Sequence, residues 1–132
     1  MKTANKRYVD GYVLAVPTKN MDAYKKMASG AGKVWMKHGA LEYFECAGDD
    51  MTPDMGKVKM ATFPGIMQAK PNETVIFAFV VYNSKAHRDK VNALVMKDES
   101  MNDNGCDEES MPFKVERMAF GGFSTIVGYL SK

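Results

Sequence analysis

Val75-Ile76-Phe77-Ala78-Phe79-Val80-Val81-Tyr82 is the stretch on which the fold turns. It carries no charge, and read as a strand it is apolar on both faces. An antiparallel sheet accepts such a strand only when both faces are covered. Working outward, residues 8–16 (YVDGYVLAV) form a strand with no clearly polar face, residues 21–38 a helix and residues 41–46 a second strand. On the other side, residues 85–96 read as a helix and residues 118–127 as a last strand. Strand, helix, strand is therefore written twice, and βαββαβ order in 132 residues predicts a compact α+β chain with few topologies open to it. Its two helices cover one face of an antiparallel sheet and leave the other face bare.

Local signals support the helices. Tyr24, Met27, Ala28, Ala31, Val34, Trp35 and His38 recur at helical spacing, with Asn20 as the expected cap and Gly39 as the left-handed stop. Gly30 and Gly32 each weaken this helix by about 1 kcal/mol relative to alanine, which a close packing contact or a kink would explain. Ser84 caps the second helix, whose stripe is His87, Val91, Leu94 and Val95, flanked by Arg88 and Asn92. The Phe120-Gly121-Gly122-Phe123 run predicts a bulge or a close approach of another group.

One domain spanning residues 1–132 is expected, with an irregular insertion at about 48–73 and an acidic loop at about 98–111. Pro53, Gly56, Pro64, Gly65 and Pro71 break the insertion, leaving room for a short strand near 57–63 and a helical turn near 66–69. Asp98, Glu99, Asp103, Asp107, Glu108 and Glu109 lie in the acidic loop without a lysine or arginine, so the formal charge of +2 conceals a basic remainder. Scattered solubilising lysines account for that remainder more simply than a polyanion does. Cys46 and Cys106 form no CxxC pair, and residues 1–7 lack an apolar core, which predicts a cytoplasmic protein with free thiols. No stretch reaches the roughly 20 apolar residues of a membrane span.

The uncovered face of the sheet predicts a partner. An apolar face of several strands is a large patch for a soluble monomer, and a second copy of the chain is its simplest cover. We therefore expect a homodimer with Phe77, Phe79 and Val81 in the interface.

Several blocks then match a known family in order and spacing. Tyr8-Val9-Asp10-Gly11, Gly39-Ala40-Leu41-Glu42-Tyr43, Val81-Tyr82 with Ser84 and His87-Arg88-Asp89, Met111-Pro112-Phe113, and Arg117-Met118 with Gly121-Gly122-Phe123 resemble the YbaA-like family of small bacterial proteins. The resemblance spans roughly residues 7 to 127, and the acidic loop with Asn104-Gly105-Cys106 matches least well. It implies a ferredoxin-like fold of the dimeric α+β barrel superfamily, which includes cofactor-independent monooxygenases, haem-degrading enzymes, lactone isomerases and ligand-sensing domains. The family brings no established reaction. No residue is assigned a catalytic role by the resemblance, and no cofactor is expected.

Polar residues on otherwise apolar elements are the candidates for a pocket between sheet and helices: Asp10, His38, Glu42, His87, Arg88 and Arg117, with Tyr12, Trp35 and Tyr82 as aromatic walls. A carboxylate or histidine there moves a proton, and an arginine holds an anionic oxygen. The structural alternative pairs Asp10 with Arg117 or a lysine, makes His87 a satisfied core-edge histidine and leaves Glu42 solvated. No metal site is expected: His38 and His87 lie on different helices, and the calcium-like loop Ser100-Met101-Asn102-Asp103-Asn104-Gly105 fails at Ser100 and at Met111, where the bidentate glutamate belongs. Phe77 to Tyr82 also fits the end of an RNA-recognition signature, yet Val75 and Ile76 replace its basic residue and glycine, which counts against nucleic acid. The functions left are a small-molecule pocket protein, monooxygenase- or isomerase-like without a cofactor, and a non-catalytic dimeric binding or stress-associated module.

Overall fold

In chain order the elements are β1 (Lys2–Thr3), β2 (Tyr8–Pro17), α1 (Met21–Lys37), β3 (Glu42–Ala47), α2 (Phe63–Met67), β4 (Glu73–Tyr82), α3 (Lys85–Met96), α4 (Ser100–Asp103), β5 (Met118–Ser124) and β6 (Tyr129–Leu130). They are seen in a computed structural model that describes residues 1–52, 54–103 and 111–132. Residues 104–110 of the expected acidic loop, with Cys106 and the end of the calcium-like stretch, lie outside the described residues. One antiparallel sheet has the strand order β3-β4-β2-β5, the ferredoxin-like topology for βαββαβ. β1 and β6 pair as a separate ribbon, and with two residues each they leave no periodicity to read. Among the described residues no helix is long and apolar enough to cross a membrane.

Pairing register divides the sheet into two faces. Asp10, Tyr12 and Leu14 lie opposite Val80, Ala78 and Ile76 on the helix side, and Val9, Gly11 and Val13 lie opposite Val81, Phe79 and Phe77 on the other. Helix-side residues form the core: Leu14, Val16, Ile76 and Ala78 pack on Tyr24, Ala28 and Phe113, while Val80 and Tyr82 pack on Val34, Val91 and Val95. On the other side Phe63 of α2 meets Phe77 edge-on with ring centroids 6.1 Å apart, and the face otherwise stays largely open. Phe44 stacks on Phe79 with centroids 5.2 Å apart, yet Phe44 and Phe77 remain 48% and 45% exposed.

Several local expectations need correction. Asn20 does not cap α1; the chain enters it from a 3-10 turn, Thr18–Asn20, and the Asn20 amide donates to the Pro112 carbonyl at 2.9 Å instead. No strand forms near 57–63 among the described residues: Val58 and Met60 are exposed, and residues 57–61 bury no apolar face that would support one. The helical turn starts earlier than expected: Thr62 caps it through the Gly65 N–H at 3.0 Å, Pro64 sits in its first turn and Gln68 ends it in the left-handed region. Ser84 caps α3 as its sequence implies, but Leu94 turns outward while Val91 and Val95 are buried. β5 is shorter than read, and its register is unbroken from Met118 to Ser124, so Gly121 and Gly122 make no bulge. Gly122 instead makes way for the Tyr8 ring, whose Cε2 would lie 2.9 Å from a Cβ there.

Gly32 has a packing reason too. A Cβ at this position on α1 would sit 2.8 Å from Cδ1 of Tyr43 on β3, against the body of a ring that cannot yield as a flexible chain end does. Gly32→Ala is expected to destabilise the fold by about 1–3 kcal/mol in urea unfolding, overpacking outweighing the better helix former. An unchanged or raised midpoint would show that Tyr43 is free to move.

Candidate functional site

Two polar groupings occupy the space between sheet and helices, and only the second sets its carboxylate at the edge of a cavity. The first centres on Asp10, fully buried on β2. Arg88 Nη1 of α3 donates to it at 2.7 Å, and Asn92 Nδ2 reaches its other oxygen at 3.5 Å. Arg88 also donates to Asp89 at 2.8 Å and lies over the Tyr8 ring, 4.8 Å from its centroid. Trp35 Nε1 is shared between Tyr82 Oη and Asn92 Oδ1, each at 3.1 Å, and Tyr82 Oη donates to Asn92 Oδ1 at 3.2 Å. The network joins β2, β4, α1 and α3. Among the described residues no buried polar side-chain atom lacks a partner. Asp10 is thus charge-compensated by Arg88, neither by Arg117 nor by a lysine, and a satisfied buried pair of this kind holds elements together instead of reacting.

The second grouping centres on Glu45 of β3. Its Oε1 accepts from Tyr24 Oη of α1 at 2.6 Å and its Oε2 from Tyr43 Oη at 2.7 Å, short charge-assisted bonds. These three side chains stand in the wall between two spaces. Inward is a cavity of about 180 Å³, bordered by Tyr12, Trp35, Met27, Phe113 and Met118 among others. Outward is a longer open groove of about 740 Å³ between α1 and the β3 edge. Tyr12 is stacked on Phe120 with centroids 4.9 Å apart, which fixes the ring at the cavity's side.

The remaining sequence candidates lie elsewhere. Glu42 is exposed on the outer face, because its register partner is Val81; one residue of parity separates it from the inward Tyr43 and Glu45. His38 Nε2 meets Asp98 at 2.7 Å, with Lys37 Nζ on the same oxygen at 3.3 Å, pinning the end of α1 to the turn before α4. Hydrogen bonds from Ser100 first, then from His38, hold the Asp98 carboxyl well below the usual carboxylate range. His87 Nδ1 accepts from the Asn83 N–H at 2.9 Å, and its ring meets the Tyr82 ring edge-on. Arg117 clamps α2 to β4: it bonds Glu73 at 2.6 Å and the Met67 and Gln68 carbonyls at 3.1 Å each. Of the expected pocket residues, Tyr12 and Trp35 border the cavity, Asp10, Tyr82 and Arg88 form the network beside it, and His38, Glu42, His87 and Arg117 stand apart. Tyr24, Tyr43 and Glu45 escape sequence reading because their juxtaposition depends on the α1 to β3 packing, for which only Gly32 leaves a trace. Among the described residues no group of three or more acidic, histidine or cysteine side chains is arranged to hold a metal.

Residues 7–115 match the family model described as protein of unknown function, DUF1428. The chain belongs to this family. It is 43% identical over 121 residues to Uncharacterized protein YbaA of Escherichia coli (strain K12), an alignment covering 92% of this chain and 97% of that protein, and the same figures hold for YbaA of Shigella flexneri. Its YbaA-like resemblance is therefore established over nearly the whole DUF1428 relative. Two solved structures share the chain trace more distantly. One is a mutant of SnoaB, a cofactor-independent oxygenase from Streptomyces nogalater, at TM-score 0.48 and 10% identity over 91% of this chain and 93% of that one. The other is an uncharacterised NIPSNAP-like domain protein from Burkholderia xenovorans, at TM-score 0.49 and 11% identity over 96% and 88%.

Burial raises the phenol pKa of Tyr12, Tyr24, Tyr43 and Tyr82, and the neighbouring carboxylates Glu45 or Asp10 raise it further. The folded state therefore holds these protons more tightly than the unfolded chain, whose tyrosines titrate near pH 10. This stability is fully present below about pH 10 and is lost as pH rises from there through the folded-state values. In an alkaline titration followed at 295 nm, these four phenolates are expected to appear only together with loss of the far-UV dichroism. Ionisation of all six tyrosines before unfolding would contradict the buried geometry.

Proposed function

We propose that this protein binds a small, largely apolar molecule in the cavity between sheet and α1, with Glu45 as its polar anchor. The observation that carries this reading is the placement of the Glu45 carboxylate, oriented by two phenols, in the wall of an otherwise apolar space. Such a combination of apolar lining with a few converging polar groups is what small-ligand sites share. A dry cavity of roughly 150 Å³ accepts a benzene ring, so a volume of about 180 Å³ suits one ring. Each Glu45 oxygen keeps a lone pair beyond its phenol bond, enough to accept an O–H or take a proton from an acidic C–H. Tyr24 and Tyr43 each give their one O–H to Glu45, so their part is to orient the carboxylate. Cofactor-independent oxygenation and isomerisation both begin with such a proton transfer. Asp10 takes no part in it, because Arg88 already neutralises it.

Trp35 is the single tryptophan and borders the cavity, so it reports occupancy directly. Titration with phenol and p-cresol is expected to give a saturable change in Trp35 emission, weakened in Glu45→Gln. A flat response to the whole series, with no ligand found by native mass spectrometry of the purified protein, would overturn the reading.

The working form we infer is a homodimer joined through the open sheet face. Val9, Val13, Phe44, Phe77, Phe79 and Phe123 face outward there around a concavity that carries no lysine or arginine, a surface suited to a like apolar surface and poorly suited to nucleic acid. Each phenylalanine buried there is worth about 1.5–3 kcal/mol, enough in combination to offset the entropy of association. Light scattering is expected to give twice 14.7 kDa at micromolar concentration, and Phe77→Glu to give the monomer with unchanged dichroism. A wild-type monomer would refute the dimer without touching the cavity.

A further inference from the structure

The outer groove has features that the inner cavity does not explain. It runs along α1 from Met21 to Met36, about 22 Å at the helical rise of 1.5 Å per residue, which is long and narrow beside the ring-sized cavity. Its floor is apolar, made by Ala28 and Gly32 of α1 and by Ala47 and Ile76 of the sheet. Its rim is cationic: Lys25 and Lys33 stand two helical turns apart, about 12 Å, on the same side of α1 with Ser29 between them. Among the described residues neither lysine is in an ion pair, whereas Lys37, one turn beyond Lys33, is held by Asp98. At the inner wall stands the Glu45 carboxylate, which accepts a hydrogen bond from each of two phenols.

We propose that this groove binds a free medium-chain alkyl carboxylate, of about eight to ten carbons, with its head group at Lys25 and Lys33 and its tail along the floor. Midway between the two lysines, at Ser29, about half the groove, roughly 11 Å, remains to either end, the length of an extended chain of that size; the apolar floor suits its methylenes and the unpaired cations its single negative charge. Orientation follows from charge. Glu45 repels a carboxylate drawn inward, so the head stays at the rim, where water and two ammonium groups solvate it, and the tail lies inside. Lysine stems covering the chain while their ammonium groups reach outward would complete the site. Gly32 contributes by lacking a side chain: a Cβ there would collide with the Tyr43 ring, which instead packs directly on α1 and forms the groove's inner side. The groove lies on the helix side of the sheet, so two copies meeting on the open face leave it free. Occupancy of the ring-sized inner cavity is not required.

Isothermal titration calorimetry of the full chain with octanoate and with 1-octanol, matched in chain length, tests this directly. Octanoate is expected to bind more tightly than octanol, and the Lys25→Gln/Lys33→Gln double variant to weaken octanoate about tenfold, the scale of two exposed charge contacts, while leaving octanol unchanged. The octanoate advantage is expected to shrink as salt is raised. Met36→Glu, at a half-exposed position on the groove, is expected to weaken octanoate without loss of dichroism. Equal affinity for octanoate and octanol, or octanoate binding that survives the double variant, overturns the inference whether or not phenol perturbs Trp35. Binding of an acidic amphipathic peptide in place of octanoate would replace the ligand with a protein partner and overturn it as well.

Discussion

Because successive residues of a strand point to opposite faces, a strand as apolar as β4 from Val75 to Tyr82 must find two apolar surroundings, and β4 lies inside the sheet between β3 and β2. Ile76, Ala78, Val80 and Tyr82 take the helix side and are buried by α1, α3 and Phe113. Phe77, Phe79 and Val81 are left to the other side, where among the described residues Phe63 of α2 reaches Phe77 and the face stays largely open. The order β3-β4-β2-β5 sets the polarity of every neighbour from that division. It sends Asp10, Tyr12, Tyr43 and Glu45 toward the helices and Glu42, Phe44 and Cys46 away from them.

On the helix side, polar groups are used in two ways, and the difference is electrostatic. Asp10 is fully desolvated and paired with a guanidinium, an arrangement that is costly to disturb and leaves no acceptor for a ligand. Glu45 is bonded to two neutral donors, keeps its charge uncompensated by any cation among its hydrogen-bond partners, and borders open space. The second carboxylate has acceptor capacity left at the edge of an open space; the first is enclosed by its partners. The tyrosines that orient Glu45 also separate the inner cavity from the outer groove, so the same three side chains set the boundary of both spaces.

Much of this was legible from residues alone. Helix α3 keeps its sequence-read bounds because Ser84 is a strong cap and Val91 and Val95 mark the buried stripe. α1 keeps its course although Asn20 fails as a cap, since the buried stripe of Tyr24, Ala28 and Val34 carries it. The insertion at 57–63 shows the opposite case: a short strand read in a stretch without a sustained period does not form, because its residues stay exposed and no burial offsets the cost of ordering them. Tyr12 and Trp35 were recognisable as cavity walls by their bulk on inward stripes. Glu45 was not, because Glu42 and Glu45 lie on one short strand at opposite parity and nothing local says which faces in.

Sequence by itself determined the order of elements, the two-faced character of β4 and therefore the existence of an uncovered apolar surface. These depend on period and composition, which are local properties of the chain. Tertiary structure alone decided which carboxylate is neutralised and which is presented, because Arg88 reaches Asp10 across 78 residues and Tyr24 reaches Glu45 across 21. Such pairings are set by strand register and helix packing, and a shift of one residue in either would exchange the roles of inward and outward side chains.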